Sequence, residues 1–375
     1  VSLDADGNLF GTAPGGGASL QGTVWEIIKG TNKIIALASF NGDNGKEPSG
    51  PATLDANGNL FGTANAGGAK GFGTVWELAK GSGFIGTIAS FNGTNGKFPF
   101  GNVAFDADGN LYGTTSAGPQ SGTLWKIAKG TGNIVTLASF SSATTGSSPE
   151  NIFIDAKGNI FGTATSGGGA NRFGTVWEFD KAAGKLVVLG TFDGTNGKFP
   201  AGGIVMDANG NLFGTAISGG ANGKGTAWEF DKGAGKLVAL ASFDGNNGNV
   251  GGISLALDTN GNLFGTARAG GPADRGTVWE VAKGAAKINV LDSFKFPIGT
   301  DPIGGAILDA KGNLFGTAIG GGANGKGTVW EFSTGGVPEP TSLIMALTSL
   351  IMIGGVFLQK SGQAARRRRG RSACA

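Results

Sequence analysis

Seven tryptophans, Trp25, Trp76, Trp125, Trp177, Trp228, Trp279 and Trp330, recur at steps of 51, 49, 52, 51, 51 and 51 residues. Seven aspartates, Asp4, Asp55, Asp106, Asp155, Asp207, Asp258 and Asp309, keep the same phase. Each aspartate opens a segment of the type D-A-N-G-N-L-F-G-T, and each tryptophan sits in one of the type G-T-V-W-E-F. A block repeated this often cannot bury its apolar face alone, so it stacks on copies of itself. Any fold for this chain must accommodate seven equivalent blocks.

Within the fifth unit, four strand-like runs can be read at 203–207, 211–216, 225–230 and 236–243. β-branched and aromatic residues fill the runs, and Gly, Asn, Asp and Ser fill the gaps between them. No sustained 3.6-residue apolar period occurs before residue 340, so helix is not expected there. Glycine, 75 of 375 residues, suits many tight turns, while an apolar fraction of 39% argues against a disordered linker. Four short antiparallel strands per unit, seven times over, predict an all-β fold, a seven-bladed β-propeller of four-stranded blades. A β-helix is the rival, but its coils are usually shorter than such a unit.

The phase of the repeat adds detail. The chain begins inside a first strand and reaches a third strand at 328–332, giving 27 strands and a last blade short of one. The expectation is that sequence upstream of Val1 supplies a signal peptide and the strand that completes blade seven.

Composition excludes several chemistries. There is no histidine, and the only cysteine, Cys374, lies at the C-terminus. Intrachain disulfides, Cys/His zinc sites and a Ser–His–Asp triad are thereby excluded. Of 29 basic residues, Lys360, Arg366, Arg367, Arg368, Arg369 and Arg371 lie in the last sixteen positions. That leaves 23 basic residues against 25 acidic ones once Glu339 is also set aside from 26. So even a balance gives no footprint for a phosphate backbone, and nucleic acid is not an expected partner.

After the repeat body (1–332) come a short linker, 333–340, ending in Val337-Pro338-Glu339-Pro340, and an uncharged run, 341–358. Eighteen residues at 1.5 Å each span roughly 27 Å, enough for a bilayer core as one C-terminal transmembrane helix. The Arg-rich tail, 359–375, then stays cytoplasmic and leaves the repeats outside. This order, V-P-E-P, one apolar span, then an arginine cluster, resembles the PEP-CTERM sorting signal of Gram-negative-type bacteria. The resemblance implies an exosortase-type membrane protease as partner, cleavage near Pro338-Glu339-Pro340, and release or transfer to the cell surface, often in species that make exopolysaccharide.

The body itself resembles the GloVer (Gloeo-Verruco) tandem repeat, on the segments N-L-F-G-T (59–63) and G-T-V-W-E (73–77) that recur throughout. That resemblance implies an extracellular protein with an interchangeable C-terminal anchor.

Several features invite a site. Asp4, Asp6 and Asn8 alternate oxygens as a calcium loop does. However, Gly7 stands at position four rather than six, no glutamate follows at twelve, and Lys157 and Lys311 occupy the middle position in two units. A hairpin turn with glycine at positive φ fits all seven copies, and calcium stays as the alternative; no other cofactor is expected. Glu26, Glu77, Glu178, Glu229, Glu280 and Glu331 follow their tryptophans, with Lys126 in the third unit. A lysine three positions on (Lys29 after Glu26, Lys232 after Glu229) suggests local surface ion pairs. The tryptophans read as inter-blade packing, with sugar stacking as the alternative.

Loops joining strands two to three and four to the next blade should share one end of the ring, the candidate binding face. There, unit six departs from the repeat with Arg268, Asp274 and Arg275, followed by Lys295 and Asp301. Such groups on rigid loops suit hydroxyl-rich glycans. The expected function is a non-catalytic extracellular binding or matrix module contacting polysaccharide. The alternatives are a carbohydrate-active hydrolase or lyase using carboxylates, and a purely structural surface protein.

Overall fold

A computed structural model describes residues 1–333 of the protein. Seven antiparallel sheets follow one another along the chain, one per repeat. In blade five, Lys198–Met206, Leu212–Ser218, Thr226–Asp231 and Lys236–Ser242 pair in sequence order. Among the described residues, blade seven holds three strands, Thr300–Leu308, Leu314–Gly320 and Thr328–Phe332, as the phase of the repeat predicts. The described residues hold 29 strands rather than 27, because the first strand is split in two blades. Blade two has Lys46–Pro48 and Thr53–Leu54, and blade three has Lys97–Pro99 and Ala104–Phe105, on the same partner strands. In blades four to seven the same place is a register shift inside one longer strand.

The first strands therefore begin earlier than the sequence suggested. Lys198 pairs with Ser218 and Pro200 with Ala216, so strand one of blade five opens at Lys198, five residues before the run at 203–207 read from the sequence. The proline before the register shift needs no ladder donor, which is why Pro48, Pro99, Pro149, Pro200 and Pro302 are tolerated there.

Blade-to-blade packing follows the motifs. Each glycine of N-L-F-G-T lies opposite the tryptophan of the next strand, as Gly62 does Trp76. The indole occupies the space over that glycine and is at most 2% exposed in all seven copies. A phenylalanine closing strand four of one blade meets the tryptophan of the next edge-on. Phe40–Trp76, Phe91–Trp125, Phe140–Trp177, Phe192–Trp228, Phe243–Trp279 and Phe294–Trp330 have ring centroids 5.1 to 5.7 Å apart. Such edge-to-face pairs contribute about 1 kcal/mol each beyond the area they bury. Trp25 has no such ring among the described residues; with Leu9 and Ile34 it packs instead on Val329 and the half-buried Ile307 and Phe315, which joins blade one to blade seven. One or two residues of every blade, from Val1 through Asn102 and Asn151 to Ile307, line a small axial cavity of about 170 Å³. Among the described residues, blade one meets blade seven through side chains.

At one end lie the D-A-N-G-N turns. Asp4 Oδ1 accepts the N–H of Asp6 at 3.0 Å and of Asn8 at 2.7 Å, and Oδ2 accepts the Asn8 amide at 2.8 Å. Gly7 supplies φ of 86°. Asn8 Oδ1 then accepts the N–H of Lys29, which ties the two hairpins of the blade together at 3.0 Å. Blade five repeats the arrangement with Asp207, Asn211 and Lys232. No described helix is long and apolar enough to cross a membrane, and the expected span 341–358 lies outside the described residues.

Candidate functional site

The loops from strand two to three and from strand four to the next blade do share one end, and they interlock. Gly68 N–H donates to Gly42 O at 2.8 Å, and Gly220 N–H to Gly194 O at 2.9 Å. The Thr74, Thr226 and Thr277 hydroxyls donate to Asn44, Asn196 and Asn247 carbonyls, each at 3.0 Å. Inside each loop the polar side chains bind their own backbone: Asn41 N–H donates to Asn44 Oδ1, and Asn44 N–H to Asn41 Oδ1. Asp193 and Asn196 do the same. Much of the Asn/Gly content is thus used to hold the loops, so contacts to a ligand fall to positions that vary.

One pair of positions varies while its backbone stays constant. In five blades, the residue before the strand-one proline donates its N–H to the carbonyl of the residue two positions before strand three of the preceding blade. Glu47 meets Gln21, Phe98 meets Phe72, Ser148 meets Ser121 and Phe199 meets Phe173, at 2.8 to 2.9 Å; Asp301 meets Arg275 at 3.3 Å. All five donors are non-glycine residues at φ of 53–57°. An L-residue in that left-handed region costs roughly 1 kcal/mol or more and persists only where the surroundings impose it. The strand-one proline and the cross-blade hydrogen bond impose it here. The result is an arc of residues paired through their backbones on one end of the ring: acid with amide, phenylalanine with phenylalanine, serine with serine, and arginine with acid.

The residues singled out from the sequence fall on this arc or beside it. Arg268 Nε lies 3.2 Å from Asp301 Oδ1, both about half exposed (51% and 48%). Arg275 is held to Asp301 through the backbone. Asp274 is exposed, and its Oδ1 accepts the Gly270 N–H at 2.8 Å, so it shapes the loop. Lys295 is exposed on the unusual loop that leaves blade six. That loop lacks the Asn–Gly lock, and the Thr328 hydroxyl is left buried with no partner where Thr226 and Thr277 have one. Asp292, which the sequence reading passed over, stands near Lys295 where other blades carry alanine or glycine. Burial raises its pKa, opposed by the Ser293 N–H and the Lys295 charge. Val337, Pro338, Glu339, Pro340 and Arg366 to Arg369, expected from the sequence to form a sorting signal, lie outside the described residues.

Two other expectations meet the structure differently. The Glu–Lys pairs within a blade do not form among the described residues, whose ion pairs are Lys181–Asp106 at 3.8 Å and Arg268–Asp301. Lys29 instead lays its stem over the turn, where a Cβ on Gly7 would come within 2.9 Å of it. The Glu26 carboxyl is raised by burial and by Asp4, and is opposed by Lys80 of the next blade, so the charge coupling crosses blades. The seven turn aspartates spend their oxygens on the turn, and no described cluster of three or more acidic or metal-binding side chains could hold a cation.

The axial cavity offers asparagines but no carboxylate in its lining. Glu150 lies beside it on the first strand of blade four. Its Oε1 accepts the Thr165 hydroxyl at 3.0 Å and its Oε2 accepts the Gly202 N–H of blade five at 2.8 Å. Burial raises its pKa, opposed by those two hydrogen bonds. Both oxygens are occupied, so Glu150 works as a strut between blades. No repeat pattern marked it, because it occurs once.

Fold and site together define a seven-bladed propeller that displays variable side chains on an invariant backbone at one end. The chain belongs to the Gloeobacter/Verrucomicrobia repeat family, whose model matches residues 1–171 and 117–259. No curated protein matches the sequence. Among solved structures it is similar to a candidate 6-phosphogluconolactonase from Bacteroides fragilis (13% identity, 86% of this chain and 91% of that one, TM-score 0.56). It is also similar to virginiamycin B lyase from Staphylococcus aureus (14%, 78% and 83%, TM-score 0.54). TolB from Acinetobacter baumannii, of which the chain covers 66%, aligns at 17% identity with a TM-score of 0.48. At such identities the likeness is one of fold.

Proposed function

We propose that the protein is an exported, non-catalytic binding module that contacts extracellular polysaccharide through the arc of paired residues. The observation that carries this reading is the five cross-blade pairs, whose backbone is constant and whose side chains are not. A scaffold with no ligand has no use for strained positions that display different side chains, whereas a surface reading an extended polymer does. Export is supported by the V-P-E-P motif, the apolar run at 341–358 and the arginines after it, which an exosortase-type protease would process at the membrane.

Hydrolase or lyase chemistry needs a free acid–base couple. The axial cavity lining has no carboxylate, and Glu150 beside it is committed to Thr165 and Gly202; in the larger clefts between blades, Asp4, Asp55 and Asp106 are committed to their turns. Calorimetric titration of the full-length protein with exopolysaccharide from its host, with and without calcium, tests the proposal. Saturable binding that weakens in the double variant Arg268→Ala/Arg275→Ala supports it. A folded protein that binds nothing in either condition makes it a structural scaffold, and depolymerisation of the glycan makes it an enzyme.

A further inference from the structure

Two of the five pairs are aromatic, and their surroundings are built alike. Phe98 meets Phe72 edge-on at 6.2 Å between centroids, and Phe199 meets Phe173 at 5.9 Å. Lys97 Nζ lies 4.6 Å over the Phe72 ring, and Lys198 Nζ 4.5 Å over Phe173. One face of each inner ring is thus taken by a cation, which fixes that ring and leaves the outer one on display. Phe98 and Phe199 are 40% and 37% exposed although they are large apolar side chains. Their backbones sit at φ of 55° and 57°, where glycine would be unstrained. Exposure and strain are both unfavourable for folding, and they coincide twice.

The surroundings of these rings are polar. Beside Phe98 runs the loop Asn92-Gly93-Thr94-Asn95, and beside Phe199 the loop Asp193-Gly194-Thr195-Asn196. A protein or lipid partner would call for a contiguous apolar patch. A single apolar plane rimmed by hydroxyl, amide and ammonium groups matches a sugar ring instead, which has an apolar C–H face and a hydroxyl edge. The serine pair Ser121–Ser148 stands between the two aromatic pairs, which sets the two exposed phenylalanines two blades apart, as suits an extended ligand that touches both.

We infer that Phe98 and Phe199 are two equivalent stacking platforms for pyranose rings of a neutral β-linked glucan or galactan. This assignment rests on the glycan-binding reading above and moves its main contact from the charged group at blade six to the aromatic pairs of blades two to five. The strained backbone holds each ring in place before binding, which limits the ordering cost of association.

The test is calorimetry of the full-length protein with cellohexaose and with β-1,4-galactohexaose. Four proteins are compared: the unaltered chain, Phe98→Gly, Phe199→Gly and the double variant. Glycine relieves the strained φ and removes the ring, so each single variant should melt no lower than the parent while affinity falls about tenfold, the scale of a lost aromatic anchor. The double variant should lose measurable binding. Phe98→Tyr, which keeps the plane, should retain it. If the parent binds these sugars and Phe98→Gly/Phe199→Gly binds equally well, the platforms are wrong and glycan binding stands. That conclusion would be sharpest if Arg268→Ala/Arg275→Ala abolished binding in the same assay. If neither hexasaccharide binds while the host exopolysaccharide does, the assignment to neutral β-glycans is overturned. If nothing binds, both readings fall.

Discussion

Gly162 and Trp177 face each other on paired strands of blade four, and the indole fills the place of the missing side chain: a Cβ on Gly162 would lie 2.3 Å from Trp177 Cζ2. Trp177 in turn carries Phe140 of the preceding blade on its edge at 5.1 Å. The two halves of the repeat motif, F-G-T and V-W-E, are therefore one joint. Gly162→Ala should overpack it and cost about 2 kcal/mol. Urea denaturation measures this through a lower midpoint; an unchanged midpoint would mean the indole can shift aside freely.

Acid titration should stabilise the body before it destabilises it. Burial raises the carboxyl of Glu150, and burial first also raises Glu178, Glu229 and Glu331. In the window from the ordinary glutamate value of 4.5 up to these raised values, the folded protein holds protons that the unfolded chain has released. Stability therefore falls as pH rises through that window. Asp193 behaves oppositely: the Thr195 hydroxyl holds its carboxyl below 3.8 against partial burial, and that contribution is lost as pH falls through the lowered value. Melting temperatures at successive pH values should rise from neutrality towards 4.5 and drop below 3.8. In Glu150→Gln the rise should shrink; a flat profile in the parent would refute the argument.

The turn aspartates should behave as structural residues. Asp207→Ala removes the acceptor for the Asn209 and Asn211 N–H groups at 2.9 and 2.8 Å. A loss of about 1–2 kcal/mol is expected. Millimolar calcium should leave the melting temperature of the parent unchanged, since those oxygens point into the turn. A calcium-dependent rise that vanishes in Asp207→Ala would restore the cation reading.

Among the described residues, no strand pairs with the outer side of Thr328–Phe332 in blade seven, and the neighbouring Trp25 has no phenylalanine against it. A peptide copying residues 236–248, K-L-V-A-L-A-S-F-D-G-N-N-G, carries both the strand and the ring that six other joints use. It should bind and raise the melting temperature, and the same peptide with alanine for Phe243 should do so much less. Equal effects of the two peptides would show that Trp25 is no seat for that ring.

Blade number, strand order and the short seventh blade were legible because the tryptophan and aspartate spacings report backbone periodicity directly. The early start of strand one was not, since Lys198-Phe199-Pro200 reads as loop until its pairing to Ser218 and Ala216 is seen. The charged group at blade six stood out as a departure from the repeat. Phe98 and Phe199 did not, because phenylalanine in a chain with 25 of them is read as core unless its exposure is known. Glu150 escaped for the opposite reason: it is a single residue whose partners, Thr165 and Gly202, lie 15 and 52 positions away.

Hydrogen exchange of the full-length protein with and without host exopolysaccharide tests the central claim most directly. The account predicts slowed exchange in the long-loop segments 92–98, 193–199 and 268–275, with the D-A-N-G-N turns at the other end unchanged. Protection confined to those turns, or none anywhere while binding occurs, would contradict it.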